Sequence, residues 1–204
     1  MKKLTHTLLT AAAISCFAYS ASAQTTFTFL DDTTTIGSGL DGSSTGSFTV
    51  SGIEITATAN DGVFNGTGSG FGINQTAIGD DTDGIDFAIP ADAPGIIESF
   101  TLTFDQAVIL NSFEVSSFGA SDEITITDGA STVATITSTG LTSLGNYNLG
   151  SSSTLSVTTS AGTYANGWSF DAITVTAVPE PSSFALLAGC FALASVMIRR
   201  RGIK

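Results

Sequence analysis

The stretch Ser99-Phe100-Thr101-Leu102-Thr103-Phe104 places a large apolar residue at every second position, with Ser or Thr between. Successive side chains of a β-strand point to opposite faces of its sheet, so this alternation predicts a strand with one buried face and one solvated face. The phenylalanines that dominate the aromatic content of the chain are the expected core of the fold.

Seven further stretches have the alternating or β-branched pattern of strands. They are residues 47–50, 53–59, 108–115, 124–127, 132–137, 154–158 and 168–176. Clusters of Gly, Asn, Asp and Ser separate them, the Gly-rich stretch 66–72 is an expected loop, and Asp128-Gly129-Ala130-Ser131 is an expected hairpin loop. The predicted fold is all-β, a single antiparallel β-sandwich of about eight to ten strands with jelly-roll or immunoglobulin-like topology.

The N-terminal 23 residues have the three parts of a secretory signal peptide. Two lysines are followed by an apolar stretch and then by small residues at Ala21 and Ala23. We expect the secretion machinery to export the chain and signal peptidase to cut after Ala23. The domain assignment is therefore a signal peptide over residues 1–23 and a β-sandwich ectodomain over residues 24–177.

Residues 178–204 contain three features in a fixed order. Val178-Pro179-Glu180-Pro181 comes first, an uncharged run of 15 residues, 184–198, follows, and Arg199-Arg200-Arg201 comes last. As a helix the run covers about 22 Å at about 1.5 Å per residue, less than the ~30 Å hydrocarbon core of a bilayer. We expect a transmembrane helix over residues 184–198 that holds the protein transiently at the inner membrane, with its basic end in the cytoplasm.

This tail resembles the PEP-CTERM sorting signal of Gram-negative bacteria. The same signal is sometimes catalogued as an ice-binding-protein C-terminal segment. The resemblance implies recognition by an exosortase, a membrane cysteine transpeptidase-like enzyme, and cleavage near Pro179 to Pro181. It also implies release or transfer to the cell surface. Proteins with this signal accompany exopolysaccharide production, so polysaccharide is a candidate partner.

The ectodomain contains no positively charged side chain. All six Lys and Arg residues and the single His lie in the terminal segments, as do Cys16 and Cys190, whereas 17 of the 18 Asp and Glu residues precede residue 178. Nucleic-acid binding depends on Lys or Arg, so no nucleic-acid partner is expected. Catalysis by His, Cys or Lys is excluded because the ectodomain contains none of these residues. We expect no enzyme and no catalytic residues, although two carboxylates could in principle form a glycosidase.

Four carboxylates, Asp80, Asp81, Asp83 and Asp86, lie within seven residues. Hard cations such as Ca²⁺ bind oxygen ligands of this kind, which makes calcium the one candidate cofactor. The stretch has Pro90 where an EF-hand would have its bidentate Glu, so it is not an EF-hand. The alternative is a solvated acidic loop.

Two ligand hypotheses concern the ectodomain surface. Tyr147, Tyr164 and Trp168 could line a glycan-binding surface, although a single tryptophan more often belongs to a core. Thr-x-Thr pairs such as Thr101/Thr103 and Thr125/Thr127 could order water and bind ice, but no regular repeat of the sequence places them in register. Threonine also suits the solvated face of any strand.

The function predicted from these features is that of an exported, non-enzymatic protein of the cell surface or extracellular matrix, associated with the envelope or with exopolysaccharide. A calcium-assisted, lectin-like carbohydrate-binding module is the alternative, and ice binding is a minor one. The protein is expected at the membrane before processing and at the cell surface or outside the cell afterwards.

Overall fold

The computed structural model describes ten segments of the chain, residues 23–29, 37–60, 62–67, 70–74, 87–88, 96–118, 122–150, 153–159, 167–179 and 181–201. The chain divides into two compact units. The first is the ectodomain, Gln24–Ala177. The second comprises Met1–Ala23 and Val178–Lys204.

The described part of the chain contains fourteen strands and two helices. The strands are β1 (Gln24–Thr28), β2 (Thr45–Val50), β3 (Ile53–Ala59), β4 (Val63–Thr67), β5 (Gly70–Asn74), β6 (Phe87–Ala88), β7 (Ile96–Ile97), β8 (Ser99–Phe104), β9 (Val108–Ser116), β10 (Ile124–Asp128), β11 (Ser131–Ile136), β12 (Gly140–Leu149), β13 (Thr154–Thr159) and β14 (Ser169–Ala177). The helices are α1 (Gly37–Leu40) and α2 (Pro181–Arg201).

Twelve of these strands form two antiparallel sheets of six, and β6 and β7 form a separate pair. Sheet A has the order β12-β9-β14-β5-β4, with β1 also pairing with β14. Sheet B has the order β11-β10-β13-β8-β3-β2. The all-β, antiparallel prediction is confirmed, and the choice between jelly-roll and immunoglobulin-like topology stays a prediction.

The two sheets share one apolar core, a sandwich-like arrangement. In β8 of sheet B, Phe100, Leu102 and Phe104 are buried while the residues between them are only half-buried, as the alternation predicts. Phe104 lies 6.3 Å from Phe27 of sheet A, and Phe100 lies 5.2 Å from Phe170 of sheet A, measured between ring centroids. Aromatic pairs of this kind contribute about 0.5–1.5 kcal/mol each beyond the area that they bury.

All eight strands predicted from the sequence are present, within a few residues of the expected bounds. The expected loop at residues 66–72 is wrong, because its ends belong to β4 and β5, which pair with each other. These strands bury Phe64, Phe71 and Ile73. The glycines within β4 and β5 pair across the two strands although they have no side chain to pack. Alternate burial of a few residues outweighs the weak strand propensity of glycine here.

The hairpin predicted at Asp128-Gly129-Ala130-Ser131 is confirmed. Asp128 pairs with Ser131 across the turn between β10 and β11. Gly129 has φ of 57°, a backbone conformation that glycine adopts without the steric cost of a Cβ atom.

Helix α2 contains the whole of the predicted helical segment 184–198. The prediction that it spans a membrane is not confirmed: in the part of the chain that the structure describes, no helix is both long enough and apolar enough to cross a bilayer.

Candidate functional site

The segment that follows the last strand has the geometry of an accessible junction. Strand β14 ends at Ala177, and the next two residues have no regular secondary structure. Val178 is half-buried and Pro179 is exposed. Proline lacks the backbone N–H that a strand requires, so the sheet cannot continue through Pro179. Of the four residues Val178-Pro179-Glu180-Pro181, Glu180 alone lies outside the described residues.

Pro181 is the first residue of α2. A helix tolerates proline in its first turn because the N–H groups there have no partner within the helix, and the fixed φ of proline suits the helical conformation. The two prolines therefore act in opposite directions. Pro179 stops the preceding strand and Pro181 starts the following helix, and Val178 and Pro179 have no regular secondary structure.

The C-terminal half of α2 presents apolar side chains to its surroundings. Leu193, Val196 and Met197 are each more than half exposed, and Ile198 is 41 % exposed. Arg199 is exposed directly after them, and Arg200 and Arg201 complete the helix. A helix with this order offers a recognition enzyme an apolar surface followed by positive charge.

Residues 177–201 match the PEP-CTERM protein-sorting motif. The match contains the irregular junction, the helix and the arginine cluster. It shows that the chain is an exported surface protein sorted by an exosortase, and it confirms the resemblance seen in the sequence. The ectodomain has no family match. No curated protein and no solved structure matches the chain.

Several predicted site residues lie outside the described residues. They are Ala21 of the signal-peptidase site, the four candidate calcium ligands Asp80, Asp81, Asp83 and Asp86, and Tyr164 of the candidate glycan surface. Ala23 is described and exposed. Among the residues that are described, no group of three or more His, Cys, Asp or Glu side chains is placed to hold a metal ion. The calcium hypothesis stays a prediction.

Trp168 is a core residue. Its side chain is 0 % exposed, its ring lies 6.2 Å from that of Phe100, and its indole Nε1–H donates a 2.9 Å hydrogen bond to Thr159 Oγ1. A fully buried indole offers no face to a sugar, so the structure places Trp168 in the interior rather than in a glycan-binding surface.

Tyr147 connects the two sheets. It belongs to β12 of sheet A, is half-buried against the core, and donates a 3.1 Å hydrogen bond from its hydroxyl to Asp128 Oδ2 of sheet B. This hydrogen bond to a carboxylate raises the pKa of Tyr147, and burial and the negative charge of Asp128 add to the effect. The side chain therefore has a structural role that its sequence context did not reveal.

Asp171 was not among the site residues predicted from the sequence, and it lies at an irregularity in the pairing of β14 with β9. Its Oδ1 accepts a 2.7 Å hydrogen bond from Ser116 Oγ. Burial raises the pKa of Asp171, the Ser116 hydrogen bond opposes this, and the nearby Glu114 reinforces it. In the sequence, Asp171 is a single acidic residue within an otherwise apolar and Thr-rich strand. It interrupts the alternation of the strand, and this interruption is the signal that could have identified it.

Two further carboxyl groups lie in the interior rather than on the surface. Glu98 is 0 % exposed and Asp122 is 5 % exposed. Both lie at the end of sheet B at which Ile124 of β10 pairs with Thr159 of β13. Asp122 comes two residues before Ile124, and the backbone carbonyl of Glu98 accepts a hydrogen bond from the Thr159 N–H. Neither of these two residues is therefore a solvated surface charge.

Proposed function

We propose that the chain is a non-enzymatic protein of the cell surface or extracellular matrix whose β-sandwich ectodomain is freed when an exosortase cuts near Pro179 to Pro181. The observation that carries the proposal is the match of residues 177–201 to the PEP-CTERM motif. The exposure of Pro179 in an irregular connection supports it, because a protease needs its substrate in an accessible, extended form. Export by a cleaved signal peptide, residues 1–23, belongs to the same proposal.

A non-enzymatic role is supported by the composition of the ectodomain. Residues 24–177 contain no His, Cys, Lys or Arg, so the side chains of most nucleophilic and acid–base mechanisms are missing. The carboxyl groups that remain suit contact with neutral or cation-bridged polymers better than with polyanions. We infer that the ectodomain acts by binding or assembly in the matrix, in association with exopolysaccharide.

The sorting step is tested by replacing Pro179-Glu180-Pro181 with three alanines in the native cell. We expect the full-length precursor to accumulate and the surface form, which has lost α2, to disappear. Mass spectrometry of the C-terminus of the surface form measures this. Replacing Arg199, Arg200 and Arg201 with lysines is the matched control, because it keeps the charge and should leave processing intact. Surface protein with an intact C-terminus in the unaltered strain would refute the proposal.

The association with exopolysaccharide requires a separate experiment. The processed protein should remain with the polysaccharide fraction after cells are removed, and enzymatic digestion of the polysaccharide should release it. If the processed protein is freely soluble while sorting is normal, the matrix role fails and the sorting role stands.

The calcium-assisted glycan-binding alternative depends on residues outside the described part of the chain. Of its aromatic residues, Trp168 is buried and Tyr147 is engaged with Asp128. Its test is the melting temperature of the protein in Ca²⁺ against Mg²⁺ at equal ionic strength. A rise specific to Ca²⁺ would support a calcium site, and equal curves would remove it.

A further inference from the structure

The outer face of sheet B is a regular array of hydroxyl groups. Strand pairing places one residue from each of the six strands in a single row across the sheet. All six residues of that row carry a hydroxyl: Thr45, Thr58, Thr101, Ser156, Thr127 and Thr132. The sequence-based expectation that Thr residues are not in register is therefore wrong for this sheet, since the register comes from pairing of strands far apart in the chain.

A second row runs parallel to the first, one outward position further along the strands. It contains Ser47, Thr56, Thr103 and Thr154. We call the ten residues of the two rows the hydroxyl face. Neighbouring strands lie about 4.8 Å apart and successive outward residues of one strand about 6.7 Å apart, so the face repeats in two dimensions.

Hydrogen bonds between strands hold several of these side chains in place. The hydroxyl oxygens of Ser47 and Thr56 lie 2.6 Å apart, and those of Thr103 and Thr154 lie 3.2 Å apart. Threonine is also stiff about χ1 because it is branched at Cβ. An array with fixed hydroxyls loses little conformational entropy when it orders a layer of water.

The hydroxyl face contains no charged residue. The ectodomain has 17 carboxylates and no cation, yet neither row contains an acid. The nearest acids along β3 and β8 are Glu54 and Asp105, which follow the second row; there, Asp105 Oδ1 accepts a hydrogen bond from the Glu54 backbone N–H. Within a strongly acidic domain, the two rows of the hydroxyl face are thus neutral.

These properties select the kind of partner. A soluble ligand needs a concave site with converging polar groups, and a protein partner usually needs aromatic or arginine anchors. The ten residues of the hydroxyl face provide neither. A neutral surface that repeats in two dimensions matches another periodic surface, and threonine offers a hydroxyl and a methyl group at each repeat.

We propose that the hydroxyl face binds ice, with its hydroxyl groups occupying positions in the first ordered layer of water. Sheets twist, so the repeat is kept best on the central strands β3, β8 and β13. Thr56, Thr103 and Thr154 of the second row, and Thr58 and Thr101 of the first, are the residues on which binding depends most.

The test measures inhibition of ice recrystallisation, and uptake into growing ice, by the mature protein as the cell exports it. Thr103→Lys places a long charged side chain at the centre of the hydroxyl face and should reduce both activities to those of an unrelated acidic protein. Thr174→Lys is the matched control. Thr174 lies on β14, the central strand of sheet A, and its hydroxyl oxygen is 2.9 Å from that of Thr26, so the control also breaks a pair of hydroxyls between strands, but on the other sheet.

Thermal melting of each variant verifies that it folds. If Thr103→Lys does not fold, Thr56→Lys on β3 is tested in its place. Loss of activity in the sheet B variant with full activity in Thr174→Lys supports the proposal. Absence of activity in the unaltered protein overturns it, and so does equal activity in all variants. Binding to microcrystalline cellulose that Thr103→Lys abolishes, without any effect on ice, would also overturn it and assign the face to a crystalline polysaccharide.

Discussion

Thr159 accepts the hydrogen bond that satisfies the buried indole of Trp168. We expect Thr159→Val, which keeps the shape of the side chain but removes the acceptor, to destabilise the protein by about 1–3 kcal/mol, because a buried N–H then lacks a partner. Chemical denaturation measures this free energy of unfolding.

The neighbouring residue provides the control for that substitution. Thr158 is half-buried and points to the other face of β13, so Thr158→Val should change the free energy of unfolding by no more than about 0.5 kcal/mol. Equal effects at the two positions would mean that the indole hydrogen bond contributes nothing specific.

Tyr147 is predicted to make stability depend on alkaline pH. Its pKa is raised in the folded state by the hydrogen bond to Asp128, so its contribution is fully present below the ordinary tyrosine pKa of about 10 and is lost as pH rises through the higher folded value. At neutral pH the unaltered protein should have a higher melting temperature than Tyr147→Phe. The difference should shrink as tyrosinate forms beside the carboxylate.

Melting temperatures of both proteins between neutral pH and strongly alkaline pH measure the effect. A difference that stays constant over this range would show that the hydroxyl of Tyr147 does not titrate against Asp128 in the folded state.

Among the strands, β5 depends on glycine at its first position. Gly70 has φ of 122°, and a Cβ atom there would collide with Asp171 Oδ1 and lie 2.8 Å from the carbonyl oxygen of Phe170. We expect Gly70→Ala to destabilise the protein by about 2–6 kcal/mol, the sum of about 1–3 for the backbone conformation and about 1–3 for overpacking.

Gly129→Ala is the control for a positive φ without a collision. Gly129 also has positive φ, but no atom lies within 4 Å of the position of the added Cβ. Its cost should be about 1–2 kcal/mol, from the backbone conformation alone. If Gly70→Ala is no worse than Gly129→Ala in chemical denaturation, the close approach of β5 to Asp171 is not maintained in solution.

The strands that the sequence predicted are those with a local signal. In β3 and β8 the alternation is complete, so each residue indicates its own face. In β12 the pairing with β9 is irregular between Ser143 and Tyr147, and the apolar residues lose their period of two. Strands such as β12 and β5 exist because a partner strand is available, which no local pattern records.

The same distinction explains which parts of the candidate sites were predictable. The sorting motif is continuous in the chain, so residues 177–201 can be identified from their order alone. The hydroxyl face combines residues from six strands, and its register depends on long-range pairing. The burial of Trp168 likewise follows from the approach of Phe100 and Thr159, which belong to other strands.

At the scale of the whole molecule, the ectodomain is an acidic body without internal counter-charges. Its carboxylates repel one another, and salt weakens this repulsion because the screening length falls from about 30 Å at 0.01 M to about 10 Å at 0.1 M. We therefore expect the melting temperature at neutral pH to rise with sodium chloride over this range.

The control is the same titration at a pH low enough to protonate most carboxyl groups, where the dependence on salt should largely vanish. A melting temperature that is independent of salt at neutral pH would mean that the folded state does not accumulate this repulsion, as would happen if tightly bound cations already neutralised it.

The pairing of β1 with β14 brings Gln24 opposite Thr176, so the first and last strands of the ectodomain meet with their outer ends side by side. Tension between the amino terminus and the tail would act on one end of this strand pair and break its hydrogen bonds in succession rather than together. Drag on a tethered copy would thus peel β1 away first. Thr176 also pairs with Ile109 of β9, so β14 remains held in the sheet on its other side while β1 is peeled away.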